Sequence, residues 1–267
     1  MTRMSLNQAT TKGWPLPELA AGCAAAGVTG VGLWREDIQA YGVAKAAGLM
    51  RDHGLTVTSL CRSGFFGEPG WPHENRRAID EAAIVGAPCL VLVSGGLPPG
   101  GRDIDAARRH VGAAVGELVP YARAAGVRLA IEPLHPMYAA DRCVVSTLKQ
   151  ALDLAAPYPA DAVGVCVDTY HLWWDDQVWA QIHRAGREQR IACFQVADWL
   201  TPLPAGVLLG RGLPGTGCVE LRRFREAVDA AGYTGPIEVE VFNEQVWARP
   251  GAEVLADALA GFRAHVS

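Results

Sequence analysis

The sequence predicts an α/β protein built as one (β/α)8 barrel over residues 1–267. Three observations predict it. Short runs rich in Val, Ile and Leu alternate with longer Ala-rich stretches of helical period, the pattern of parallel strands joined by crossover helices. The alternation repeats eight times. The length, 267 residues, matches the ~250 that such a barrel needs.

The first strand is expected over 5–11, the weakest of the set, followed by a helix over 17–26 with Pro17 in its first turn and Gly27 past its end. The second strand, 30–34, leads to a helix over 38–53 stopped by Gly54. The third, 57–61, leads to a helix over 72–85, and the fourth, 89–94, to one over 103–125 stopped by Gly126. The fifth strand is 127–133 with a helix over 146–156, and the sixth is 163–169 with a helix over 176–188. The seventh, 191–197, precedes a helix over 220–231 stopped by Gly232, and the eighth, 236–242, one over 252–265. Pro- and Gly-rich stretches at 65–72, 95–102 and 200–217 follow strands three, four and seven. They belong to the face on which barrel active sites are built, and the longest of them is a candidate lid.

Composition narrows the function. A hydrophobic share of 50% and a charged share of 19% are those of a globular chain. The net charge of −4 argues against a nucleic-acid partner, since no basic stripe is visible. No run of about eighteen apolar residues spans a membrane, and the first residues lack the apolar core of a secretory signal. Seven cysteines, an odd number with no CxxC pair, point to core thiols in a reducing cytoplasm rather than to disulfides or structural zinc.

The chemistry lies at the ends of the last four strands. Each begins apolar and ends in a side-chain oxygen: Glu132, Asp168, Gln195 and Glu240. Side chains alternate along a strand, so Glu132 shares a face with Ala130, Asp168 with Cys166 and Gln195 with Cys193. The bulky residues between them, Ile131, Val167, Phe194 and Val239, suit the helix-facing side. Three carboxylates in one buried mouth repel one another, and a divalent cation offsets that charge. Oxygen donors favour Mn2+, with Mg2+ or Co2+ as alternatives. Glu238 shares parity with Glu240 but sits one layer deeper, and reads as a buried, paired carboxylate. His135, beside Glu132, either lines the pocket or caps its loop. Trp14, Trp34, Trp173, Trp174 and Trp199 fall near strand ends, where a ring such as Trp34 can face the C–H side of a sugar.

The segments LAIEPLHPMYAADRCVVSTLKQALDLA (129–155), CVDTYHLWWD (166–175), QVADWL (195–200), RGLPGTG (211–217) and GYTGPIEVEVFNE (232–244) resemble the sugar phosphate isomerase/epimerase family of the xylose isomerase-like TIM-barrel superfamily. The resemblance covers the whole chain and is densest over 127–250. It implies a metal held by Glu132, Asp168, Gln195 and Glu240, with Gln195 standing where related sugar epimerases have His. It also implies that His171 of DTYH and Arg211 of RGLPGTG bind substrate, and that Glu132 and Glu240 double as the acid/base pair.

The resulting expectation is a divalent-metal-dependent isomerase or epimerase of a small ketose or related polyhydroxy carbonyl compound, working through an enediolate. The alternative is a metal-dependent dehydratase of an inosose- or dehydroshikimate-like substrate, which Gln195 favours. A non-catalytic binding barrel is disfavoured because three unneutralised carboxylates cost stability. The sequence permits a homo-oligomer. Gly210-x-Gly212-x-x-Gly215 matches a dinucleotide fingerprint letter for letter, but about a dozen residues separate it from the preceding strand and Pro214 interrupts it, so it is refused.

Overall fold

In the computed structural model, which describes residues 3–205 and 207–267, β1 (Met4–Asn7) pairs on one side with β2 (Gly30–Trp34) and on the other with β8 (Ile237–Val239). Between these run β3 (Thr56–Gly64), β4 (Cys89–Val93), β5 (Arg128–Ile131), β6 (Val163–Asp168) and β7 (Ile191–Val196). Each pairs in parallel with its sequence neighbours, and the circle closes as an eight-stranded barrel. Met1, Thr2 and Gly206, which fall within the expected 1–267 unit, lie outside the described residues; Gly206 belongs to the expected lid stretch.

The strand periodicity works as the alternation requires. Ile131, Val167, Phe194 and Val239 face outward into one continuous core shared with Leu118, Leu152, Ile182 and Phe224 of the surrounding helices. Inward, Cys89, Ala130, Cys166 and Cys193 form a separate small layer inside the barrel. Six of the seven cysteines are buried and Cys218 is exposed; none forms a disulfide. Among the described residues, no helix is long and apolar enough to cross a membrane.

Two expected elements differ. The first strand ends at Asn7, not residue 11, because the Asn7 side chain accepts from the Ala9 N–H and turns the chain into a 3-10 helix, Gln8–Thr11. The expected 38–53 helix is two helices, Arg35–Tyr41 and Val43–Asp52, divided at Gly42 with φ +98°. A side chain there would clash with its own backbone, so a glycine marks the break. The other elements agree with expectation to within a few residues at each end.

Candidate active site

Barrel closure brings the strand-end oxygens together. Asp168 ends β6 and is level in the ladder with Gln195 of β7, while Glu132 and Glu240 immediately follow β5 and β8. All four are buried, with Asp168 and Gln195 fully so. The ladder pairs Gln195 with Glu238 rather than Glu240, a consequence of strand stagger in a closed barrel. The Gln195 amide nitrogen therefore donates to Glu238 at 2.9 Å and only approaches Glu240 at 3.5 Å, while its oxygen accepts from the Cys166 thiol at 3.2 Å. Ligation of a cation by Gln195 requires that amide to turn over.

Glu238 is the paired carboxylate that its depth implies. It accepts from Asn7 and Thr58 at 2.7 Å, Ser59 at 2.8 Å and Gln195 at 2.9 Å. Gly32 makes room for it, since a Cβ at that position would lie 2.5 Å from the carboxylate. Gly32→Ala should lower unfolding free energy by about 1–3 kcal/mol, the usual cost of overpacking a core. Urea unfolding at wild-type stability would show that the Glu238 cluster shifts freely.

Arg211 stands at the centre. It lies in a short antiparallel ribbon, Arg211–Gly212 against Asp198–Trp199, so the glycines of the refused fingerprint sit outside any strand–helix phosphate turn. Its carbonyl accepts from Asn243 at 2.9 Å. One guanidinium nitrogen, Nη1, donates to Glu240 at 2.7 Å and to Asp168 at 3.1 Å. The plane is held between the rings of Phe242 and Tyr170, 4.7 Å and 4.9 Å from their centroids. Burial works against the Arg211 charge, yet Asp168 and Glu240 hold its pKa above the ordinary value.

The carboxylates feel the same environment. Burial, then Glu240 and Asp168, push Glu132 well above the usual carboxylate range. Burial lifts Glu240 to about 7 against the opposing pull of Arg211. Asp168 is raised by burial, with Arg211 again opposing. One oxygen of Glu132 is buried without a hydrogen-bond partner. His171 is pushed well below its ordinary pKa by burial and by Arg211, and stands neutral. Its Nδ1 faces the His135 main-chain N–H at 3.1 Å and its Nε2 faces Arg211 Nη2 at 3.0 Å. A neutral imidazole has one acceptor nitrogen, so the ring meets two donors and can satisfy only one.

A cavity of about 130 Å³ opens here, lined by Trp34, Cys61, Arg62, Glu132, Arg142, His171, Arg211, Glu240 and Phe242 among others. Five of the expected residues thus share it: Trp34, Glu132, His171, Arg211 and Glu240. Asp168 and Gln195 lie in the barrel end beside it and do not line it. The His135 ring is not in the wall; its Nδ1 accepts from the Met137 N–H, capping its loop, and it packs on Trp174 and Trp199. Trp199 stacks on Tyr170 at 4.8 Å and Trp14 packs against Gly22 and Gly251, both away from the cavity. Cys61, Arg62, Arg142 and Phe242 were not foreseen, and no residue pattern in their segments marks them.

The donors suit a divalent cation. Ligand atoms of Glu132, Asp168 and His171 lie within 4.8 Å of one another, as do those of Cys61, Glu238 and Glu240. The second group is already satisfied by donors to Glu238, whereas the first holds the unpaired Glu132 oxygen.

A parallel eight-stranded barrel with acidic groups gathered at its C-terminal mouth defines a class, and the family model described as "Xylose isomerase-like TIM barrel" matches residues 20–265. The chain belongs to that family. Among solved structures it is similar to protein SMc04130 from Sinorhizobium meliloti 1021, at 44% identity and TM-score 0.95 over 99% of this chain and 98% of that one. It is also similar to the IolI protein with a bound zinc atom (19%, TM-score 0.83, covering 100% and 98%). A third likeness is 3-keto-D-glucoside 4-epimerase, YcjR, from E. coli (20%, TM-score 0.77, covering 99% and 100%). No match to the chain is found among curated proteins.

Proposed function

We propose that this protein is a divalent-metal-dependent isomerase or epimerase of a small ketose or related polyhydroxy carbonyl compound. The observation that carries the reading is the convergence of buried Glu132, Asp168 and Glu240 on one mouth, with a Glu132 oxygen left unpaired. The metal in the IolI structure and the sugar chemistry named for YcjR support it.

Glu132 and Asp168, whose ligand atoms already lie together, would hold the ion, with Glu240 joining them on release from Arg211 and Gln195 as fourth ligand once its amide turns. The ion, Mn2+ first with Mg2+ or Co2+ as alternatives, would supply a Lewis acid that acidifies the proton beside a carbonyl. Glu132 and Glu240 follow strands separated by β6 and β7, so they approach a substrate from different directions. Without the ion, burial lifts Glu240 to about 7, which makes its carboxylate a stronger base than a solvated one, as suits a group that takes a proton. His171 and Arg211 offer N–H groups to substrate oxygens, and Trp34 and Phe242, edge to face at 5.3 Å, offer ring surface to C–H groups.

A screen of ketoses and inososes with Mn2+ in D2O, followed by NMR, tests the reading. Deuterium at the carbon beside the carbonyl with an isomeric product supports it. Appearance of an enone supports the dehydratase alternative, which the glutamine at 195 favours, and no exchange with any member of the panel overturns both. The ligand role of Gln195 is read separately by titrating wild type, Gln195→Ala and Gln195→His with Mn2+, Co2+ and Mg2+. The His variant should gain affinity most for Co2+ and least for Mg2+. Equal affinity of Gln195→Ala and wild type for all three ions removes Gln195 from the ligand set.

A further inference from the structure

Arg62 and Arg142 line the same cavity as the carboxylates, and neither takes part in the ion pairing that engages most other arginines. Arg62 lies near the end of β3 and Arg142 in the segment after β5, with Val91 and Val93 of β4 in the wall between them. Both are half-buried. Among the described residues neither has a carboxylate oxygen within 4.0 Å. The Nε of Arg142 is buried with no hydrogen-bond partner, although its main chain is fixed by an N–H to the Tyr138 carbonyl at 2.9 Å. The Arg62 guanidinium lies over the Phe65 ring at 4.4 Å and toward Trp34 at 6.0 Å, which aims it rather than neutralises it.

Two unpaired cations beside one cavity repel, and partial burial adds to the cost. Burial lowers the pKa of Arg62, and the Arg142 charge acts in the same direction while exposed Glu36 opposes. Such an arrangement is favourable when an anion arrives between them. The cavity thus carries, beside its acidic groups and Arg211, two guanidinium groups that form no ion pair among the described residues.

Resting on the reading of this cavity as a sugar site, we infer that its substrate carries a terminal carboxylate, bound by Arg62 and Arg142 while the carbonyl end meets Glu132 and Glu240. The substrate class is therefore polyhydroxy keto acids. Guanidinium forks match carboxylate and phosphate oxygens alike, so the choice of a carboxylate rests on where the two arginines stand in the barrel. Phosphate seats in these barrels instead use main-chain N–H groups after strands seven and eight. Here the polar group from that loop, Arg211, is already engaged by Asp168 and Glu240.

Three ligands that differ only at one terminal carbon test this: L-sorbose, 5-keto-D-gluconate and L-sorbose 6-phosphate. Their binding to the Mn2+-loaded full chain is measured by calorimetry for wild type, Arg62→Met, Arg142→Met and the double variant. The keto acid should bind wild type at least ~10-fold more tightly than L-sorbose, and the preference should weaken as salt rises. The double variant should lose that preference, binding the keto acid no more tightly than it binds L-sorbose. Equal binding of the keto acid and L-sorbose to wild type, tighter binding of the phosphate, or a preference that survives in the double variant overturns the inference. Those outcomes leave the sugar reading standing. Failure of all three ligands to bind wild type overturns both. The wild-type comparison decides the matter even where a variant does not fold.

Discussion

Arg211→Met should be the variant most destabilised in metal-free protein and the one most restored by Mn2+. Arg211 Nη1 bridges Glu240 and Asp168 from a position almost wholly out of water. Removing one partner of a buried ionic cluster strands the other, a loss of about 3–5 kcal/mol. A divalent cation held by the same carboxylates replaces the missing charge, so saturating MnCl2 should recover most of that loss by mass action. It should stabilise wild type much less, because there the ion must first displace a guanidinium. Urea unfolding with and without MnCl2 measures both quantities. If the variant matches wild type without metal, or gains no more than wild type with it, arginine and ion do not share a seat.

The second large effect belongs to Glu132. Glu132→Gln should reduce turnover by about 10²–10⁴, the usual cost of losing a proton-transfer group. The same change should stabilise the metal-free protein at alkaline pH. The sign follows from the direction of the shifts. Glu132, Asp168 and Glu240 are all raised in the fold, so the folded state holds protons that the unfolded state has released. Their stabilising contribution is complete below the unfolded values and is lost as pH rises through the folded ones. For Glu240, moved from 4.5 to about 7, this amounts to about 3 kcal/mol lost over that interval. Glutamine cannot ionise, so the variant escapes the Glu132 share of the loss. Denaturant midpoints from pH 5 to pH 9 should fall for wild type and fall less for Glu132→Gln. With Mn2+ bound the wild-type slope should reverse, because the ion binds only the deprotonated groups. A flat wild-type profile without metal would contradict the burial of these carboxylates.

Much of this site is written locally in the chain. A period of two along each strand places Asp168 above Cys166 and Gln195 above Cys193, and the strand boundary alone places Glu132 and Glu240 at the mouth. Glu238 is separable from Glu240 by one pleat repeat. What strand parity does not specify is stagger between strands, which set Gln195 level with Glu238 and turned its amide nitrogen toward that carboxylate. Parity is equally silent on loops. His135 is adjacent in sequence to the functional segment, yet its ring caps a turn, because the residues after β5 turn into a 3-10 helix at Pro136. Arg62 and Arg142 are 80 positions apart and meet only because the barrel carries β3 and the segment after β5 to the same end.

The doubly confronted imidazole of His171 bears on which ligands the cavity admits. With Nδ1 accepting from the His135 main-chain N–H, Nε2 carries the ring proton and faces the Arg211 Nη2, 3.0 Å away, so two N–H groups meet there with no lone pair between them. An ether, hydroxyl or carbonyl oxygen brought between them accepts from both and ends the conflict. A methylene offers nothing in return, and an ammonium adds a third donor and a charge. Deoxy and amino analogues at the carbon held there are thus turned away by a mismatch already built into the protein, a form of discrimination that needs no steric wall.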